Sequence, residues 1–241
     1  MEASPLHQFS IERIAEIHIG RLDLSYTNSA LLMTIAAVLS TALMVAATRH
    51  ASLVPGRLQS LAEMLYDFVA KMVDDNVGEE GRKYFPFLFT LFMFILFGNL
   101  LGMIPYSFTF TSHIVVTFAL AAIVFIGVTL IGVIRHGFRF FNLFIPHGVP
   151  KVLLLLLVPI ELLSYCIRPF TLAIRLFANM VAGHTMLVIF AGFAAPLGLF
   201  FFAPIAMDAA LVLLEFLVAV LQAYVFTILS CLYLRDAIHL H

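Results

Sequence analysis

Four ionisable side chains, Glu161, Arg168, Arg175 and His184, lie within the apolar stretch 151–190. A charged side chain at the centre of a bilayer costs about 2.5–3.5 kcal/mol even on insertion scales, so such residues usually have a function. An imidazole titrates near physiological pH and can exchange protons with a carboxylate, whereas a guanidinium keeps its charge. This set of side chains is therefore suited to moving protons through an apolar environment.

Three of these side chains are evenly spaced, because Glu161, Arg168 and Arg175 follow one another at intervals of seven residues. Seven steps of about 100° fall about 20° short of two helical turns, so the three share one helix face. His184 points to roughly the opposite side of the same helix. Two other interpretations remain open: Glu161 and Arg168 form a buried structural pair, or Arg175 extends its guanidinium to a membrane interface.

A second polar stripe lies near the end of the chain, where Asp208, Glu215 and Gln222 are again seven residues apart. Such residues can simply join helices by hydrogen bonds. Facing a helix that carries Arg175, however, they resemble a pathway. Glu215 and His184 lie on the two arms of the predicted hairpin, off the Arg175 face, and we expect them to work as a pair.

The composition indicates a polytopic membrane protein. The chain has 241 residues, of which 63% are hydrophobic and 11% charged, and its mean hydropathy is +1.07. Soluble domains are about 45–50% apolar and about 25% charged. The net charge of −1 gives no sign of a nucleic-acid partner. Cys166 and Cys231 lack metal-ligand spacing and are expected to be small buried hydrophobes, and no motif suggests a metal or a cofactor.

We predict an all-α fold with five membrane passes and one interfacial amphipathic helix, the last two long tilted helices forming a hairpin. The forty residues of 151–190 would extend about 60 Å as a helix, against a hydrocarbon core of about 30 Å, so this helix must tilt or bend at Pro159 or Pro169. The predicted segments are an outer-side N-terminal segment 1–26, span 27–48, interfacial helix 58–77, spans 84–104 and 114–134, and long helices 151–190 and 204–235.

The orientation follows from the distribution of lysine and arginine. Nine of them lie in 49–83, in 135–151 and at Arg235, whereas the N-terminal segment has only Arg13 and Arg21. The positive-inside rule therefore predicts an external N-terminus and a cytoplasmic C-terminus, in agreement with an odd number of passes.

Two motifs carry a resemblance to a known family. They are IRPFTLAIRLFANMVAGH at 167–184 and EFLVAVLQAYVFTIL at 215–229. With them the sequence resembles subunit a of the F-type ATP synthase, in its alphaproteobacterial and mitochondrial form. The similarity extends to FGNLLGMIPYSFTFTSH at 97–113 and to the N-terminal HQFSIERI, so it covers nearly the whole chain.

The resemblance implies a non-enzymatic stator subunit of the Fo sector. In the family, two half-channels pass protons to and from the carboxylates of a c-subunit ring, and one arginine, matched by Arg175, separates them. Glu161 matches the acid of the inner half-channel. The outer half-channel is matched by Asn179, His184, Glu215 and Gln222, with His113 and Asn99 as candidates near its entrance.

The implied partners are the c-ring, the b and b′ peripheral stalk subunits, the rest of the synthase, membrane lipid and protons. The implied location is a bacterial inner membrane or, alternatively, the mitochondrial inner membrane.

The sequence departs from some bacterial members in two places. They have an acid at the position of His184 and a histidine at that of Glu215, and they have an aspartate after the second span where this chain offers Gly102 and His113. A rival function is a self-contained ion-coupled secondary transporter or channel, against which the sequence shows no inverted repeat.

Overall fold

The computed structural model describes residues 13–16, 18–19, 22–23, 25–49, 52–103, 109–138, 140, 151–194 and 202–239. Its helices are α1 Asn28–Arg49, α2 Arg57–Asn76, α3 Phe85–Gly102, α4 Ile114–His136, α5 Lys151–Ala194 and α6 Phe202–Ile238. All except α2 are long and apolar enough to cross a membrane. The predicted all-α polytopic fold is thus confirmed.

Short strands precede α1, a feature that the sequence did not predict. Strand β1 (Arg13–Ala15) pairs antiparallel with β4 (Tyr26–Thr27), and β2 (His18–Ile19) pairs antiparallel with β3 (Leu22–Asp23). The chain therefore folds back on itself before it enters the first span.

Helix α2 has two unlike faces. Val69, Met72 and Val73 are buried in the main core, while Leu58 and Met64 are exposed. The helix therefore packs on the bundle along one side and leaves apolar side chains on the other. Such a helix is suited to the membrane interface, and that placement stays a prediction.

The core lies around α3. Apolar side chains lie on all sides of this helix, and it packs against α1, α2 and α6. Phe92 and Ile95 are buried together with Val124 of α4, Leu176 of α5 and Phe226 of α6. Buried aromatic and aliphatic side chains thus join the helices that carry the polar stripes.

Helix α5 runs unbroken for 44 residues through Pro159 and Pro169, and α6 has 37 residues. At about 1.5 Å per residue α5 spans about 66 Å, roughly twice the hydrocarbon thickness. We therefore expect α5 to tilt in the bilayer. The two helices pack along each other, and we call this pair the α5–α6 hairpin.

Charged side chains collect at one end of the bundle. Arg135 at the end of α4 forms an ion pair with Glu80 of the 3-10 helix Glu79–Tyr84. Nearby, Arg82 donates hydrogen bonds to Asp74 of α2, which lower the pKa of the Asp74 carboxyl. We call this the charged end, and the positive-inside rule predicts that it faces the cytoplasm.

Candidate functional site

His184 is enclosed by polar groups from three helices and a loop. Its Nδ1 lies 2.6 Å from Oε1 of Glu215 on α6 and 3.2 Å from the Met180 carbonyl. Its Nε2 lies 2.8 Å from the carbonyl oxygen of Gly102 at the end of α3 and 3.0 Å from Oγ1 of Thr109. Only 5% of the Glu215 side chain is exposed, so the acid and the imidazole meet away from lipid.

Two glycines make room for this arrangement. A Cβ on Gly183 would lie 2.8 Å from Oε1 of Glu215, and a Cβ on Gly102 would lie 2.5 Å from Cγ2 of Thr109. Both separations are shorter than real Cβ contacts, so a larger residue would displace its neighbour. The glycines thus allow Glu215 and Thr109 to approach the ring of His184 from opposite sides.

A cleft between α5 and α6 leads to this pair. It is lined by Asn179, Ala182, Gly183, Met186, Leu211, Leu214, Glu215 and Val218. Asn179 is exposed on the outward side of α5, whereas Glu215 is buried. The cleft therefore connects a polar group on the hairpin surface with the buried carboxylate.

Gln222 and Asn99 are buried as well. Gln222 is 6% exposed and lies seven residues after Glu215 on α6. Asn99 is fully buried on α3 and donates a hydrogen bond from Nδ2 to the Ala219 carbonyl at 3.2 Å. Asn99 thus joins α3 to the α6 segment between the two polar residues Glu215 and Gln222.

Arg175 differs from these residues because it points away from the bundle. Its side chain is exposed, and within the described part of the chain it makes no hydrogen bond or ion pair. Ile174 beside it and Phe170, one turn before Ile174 on α5, are 50% and 52% exposed. A permanent cation therefore stands on an apolar outer surface of the hairpin.

Arg168 has a partner that the sequence analysis did not identify. Its Nη1 donates a hydrogen bond to Oδ2 of Asp236 on α6 at 3.0 Å. The guanidinium also lies over the rings of Tyr165 and Tyr233, at 5.2 Å and 5.1 Å. The alternative of a Glu161–Arg168 pair is therefore wrong, because Arg168 turns toward the end of α6.

Glu161 is half-buried on α5, near the same end as Arg168. Next to it along the helix, a groove on the outer surface is lined by Ile160, Leu163, Ser164, Ile167, Arg168 and Thr171. Glu161 lies fourteen positions before Arg175 and twenty-three before His184, which corresponds to about 21 Å and about 35 Å along a helix. The structure thus places Glu161 well apart from the His184–Glu215 pair.

His113 caps the start of α4 and is partly buried, and this burial lowers the pKa of its imidazole. Among the described residues of this segment, Thr109 reaches His184 and is 1% exposed. Sequence reasoning missed Thr109 because it lies between α3 and α4, where helical periodicity gives no information. It missed Asp236 as well, although the arginine stripe on α5 required a partner.

The prediction that both cysteines are buried is right for one of them and wrong for the other. Cys231 is buried, but Cys166 is exposed on the outward side of α5. Among the residues that the structure describes, no three His, Cys, Asp or Glu side chains come together as a metal site.

Comparison with known proteins identifies the family. The family model described as ATP synthase A chain matches residues 30–235. The chain is 56% identical to ATP synthase subunit a of Rhodospirillum rubrum, over 99% of both chains. It is 53% identical to that of Paramagnetospirillum magneticum, over 99% of this chain and all of the relative, and 49% identical to that of Pelagibacter ubique over the full length of both. The chain therefore belongs to the ATP synthase A chain family, the proton-channel subunits of the Fo stator.

Proposed function

We propose that this chain carries out the function of its family through the surface of the α5–α6 hairpin, with Arg175 between an outer and an inner proton path. The observation that carries the proposal is a guanidinium on an exposed apolar face, for which the described part of the chain supplies no hydrogen bond or ion pair. Its charge requires a partner, because an unpaired cation in an apolar environment is costly. A carboxylate on a neighbouring membrane chain is the chemically matched partner.

A passing carboxylate would be held by Arg175 as the anion. A guanidinium does not lose its proton at accessible pH, so Arg175 can attract the carboxylate without conducting a proton itself. Protons would therefore have to load and unload on either side of it. This separation couples proton flow to movement of the carboxylate-bearing ring.

The outer path is supported by the cleft that joins Asn179 to Glu215 and His184. Gln222 extends the polar stripe of α6 beyond Glu215 toward the level of Arg175. On the outer side of His184, His113 is the candidate for proton entry, whereas Asn99, bonded to α6 between Glu215 and Gln222, would belong to the part of the path between His184 and Arg175. Thr109 and the Gly102 carbonyl are the groups from that side that contact the imidazole.

The inner path is supported by Glu161 and by the groove that Ser164 and Thr171 line on the same helix. The charged end of the bundle lies beyond them. Protons released from the ring on this side would reach Glu161 and then the aqueous phase.

The chain is a subunit of the ATP synthase complex, and we further propose its specific neighbours. The exposed hairpin face would contact the c-ring, and other membrane-facing surfaces would contact the b and b′ peripheral stalk. We place the protein in a bacterial inner membrane, with its N-terminus outside and its C-terminus in the cytoplasm.

The test is substitution of Arg175 in the assembled synthase in membrane vesicles. We expect Arg175→Ala to abolish proton-driven ATP synthesis while the complex still assembles with its c-ring. Arg175→Lys should restore little, since a compact ammonium can lose its proton when desolvated. Arg235→Ala is the control, because Arg235 is an exposed arginine near the end of α6.

ATP synthesis near the wild-type rate in Arg175→Ala vesicles would overturn the proposal. So would purification of the chain alone, free of other synthase subunits, as an active ion transporter. That second outcome would favour the self-contained transporter.

A further inference from the structure

The two ring nitrogens of His184 face different kinds of neighbour. Nδ1 faces the Glu215 carboxylate and the Met180 carbonyl. Nε2 faces the Gly102 carbonyl and the hydroxyl of Thr109. Carbonyl oxygens only accept hydrogen bonds, whereas a hydroxyl can donate or accept. Among the described neighbours of Nε2, Thr109 is thus the one that can change its role.

The change of role matters because an imidazole that passes protons must exist with and without a proton on Nε2. With the proton present, Nε2 donates to the Gly102 carbonyl and to Oγ1 of Thr109, whose own hydrogen points to the same carbonyl at 3.1 Å. Without this proton, the Gly102 carbonyl oxygen faces the lone pair of Nε2, and neither atom can donate a hydrogen bond to the other. The Thr109 hydroxyl can then rotate and donate to Nε2.

We propose that Thr109 is a further positioning residue of the proton path, whose hydroxyl allows Nε2 of His184 both to hold and to release a proton. This inference rests on the proposed function, in which His184 belongs to the outer path. Thr109 is buried, and its hydroxyl touches the ring directly.

The backbone around Thr109 supports this role. Gly102 supplies the carbonyl that holds the hydroxyl, and its missing Cβ leaves the space that Thr109 fills. Ser112 donates a hydrogen bond to the Thr109 carbonyl at 2.5 Å, which fixes the backbone of the loop. These contacts therefore fix the position of the Thr109 oxygen, while its hydrogen can still rotate.

The experiment compares Thr109→Val with Thr109→Ser in the whole synthase, measuring passive proton flow through vesicles stripped of the catalytic sector. Valine keeps the shape and removes the hydroxyl, while serine keeps the hydroxyl and removes a methyl group. We expect valine to slow proton flow about tenfold and serine to stay within about twofold of wild type. A pure packing role predicts the reverse order, which would overturn the proposal.

Matched variants separate this role from general damage. Thr227→Val removes a buried hydroxyl that bonds only within α6, and it should leave proton flow unchanged. Gly102→Ala should displace Thr109 and slow proton flow as valine does, while Gly127→Ala, which meets no neighbouring atom, should not.

The variant His184→Ala distinguishes a failure of the proposed outer path from a failure of the role of Thr109. Wild-type proton flow in His184→Ala would mean that the proposed outer path fails. Slow flow in His184→Ala together with wild-type flow in Thr109→Val would overturn the role of Thr109 alone.

Discussion

Arg175 and His184 lie nine residues apart on α5 and have opposite surroundings. Nine helical steps of about 100° amount to two and a half turns, so the two side chains leave the helix on opposite sides. Arg175 faces outward, and His184 faces α3 and α6. The imidazole thus has partners within the chain, whereas the proposed function gives the guanidinium a partner on another chain.

The contact between His184 and Glu215 predicts that each depends on the other. Either single alanine substitution leaves a buried polar group without its partner, which costs about 1–3 kcal/mol. We expect Glu215→Ala and His184→Ala each to slow proton-driven ATP synthesis about tenfold or more. The exchange His184→Glu with Glu215→His should recover much more activity than additive losses allow.

The measurement is ATP synthesis in vesicles, normalised to the amount of assembled complex. A double exchange no faster than the slower single mutant would show that the two groups act independently. One or both would then be structural polar residues in a helix interface.

His113 gives a prediction about pH. Burial lowers the pKa of its imidazole, so the neutral form persists to lower pH than for a free histidine. Modification by a reagent that attacks neutral imidazole, followed residue by residue with mass spectrometry, should show a midpoint below the ordinary value of about 6.5. A midpoint at or above that value would contradict the burial seen in the structure.

At the scale of elements, the two helices of the hairpin are joined near both polar regions. Glu215 and His184 meet far from the charged end, and Arg168 meets Asp236 near it. The side chain of Arg168 is 22% exposed and that of Asp236 34%, so solvent weakens the pair only in part. The pair therefore fixes the end of α6 against α5.

We expect Arg168→Gln to loosen the end of α6. Loss of a partly buried charged hydrogen bond costs about 1–2 kcal/mol, which corresponds to about 5–30-fold more frequent local opening. Hydrogen–deuterium exchange should therefore accelerate by that factor in the last turns of α6 and remain unchanged around Glu215. The double variant Arg168→Asp with Asp236→Arg should restore part of the protection. Equal exchange in Arg168→Gln and wild type would contradict the role of the Arg168–Asp236 pair in fixing the end of α6.

Helical periodicity predicted the parts of this fold that depend on one helix at a time. It identified five apolar spans, and it separated Arg175 from His184 on α5. It could not identify the partner of Arg168, because a helical wheel shows which side chains share a face but not which helix lies opposite. It could not identify Thr109 either, because the placement of Thr109 depends on its packing against Gly102.

At the scale of the whole molecule, the charged end and the His184–Glu215 pair lie toward opposite ends of the bundle. Arg135 and Asp236 belong to the first of these ends, whereas Gly102 and Thr109 belong to the other. If the charged end lies in the cytoplasm, the His184–Glu215 pair lies nearer the outer side of the membrane. The proposed sidedness of the two proton paths follows from this single arrangement.

Cysteine labelling tests the sidedness. After removal of Cys166 and Cys231, we expect Glu16→Cys to react with an impermeant thiol reagent from outside and Leu53→Cys and Phe138→Cys only from the cytoplasmic side. All three positions are exposed. Labelling of positions 16 and 53 from the same side would contradict the five-pass arrangement.

The missing side chain at Gly183 limits how the proposed proton path can change in evolution. A Cβ there would lie 2.8 Å from a carboxylate oxygen of Glu215, so the residue at 183 determines how much room an acid at 215 has. Substitutions at 183 and 215 should therefore covary among relatives, with 184 as the third member of the set. A lineage that exchanges the acid and the histidine must fit an imidazole into the space beside position 183, and its order of substitutions is constrained accordingly.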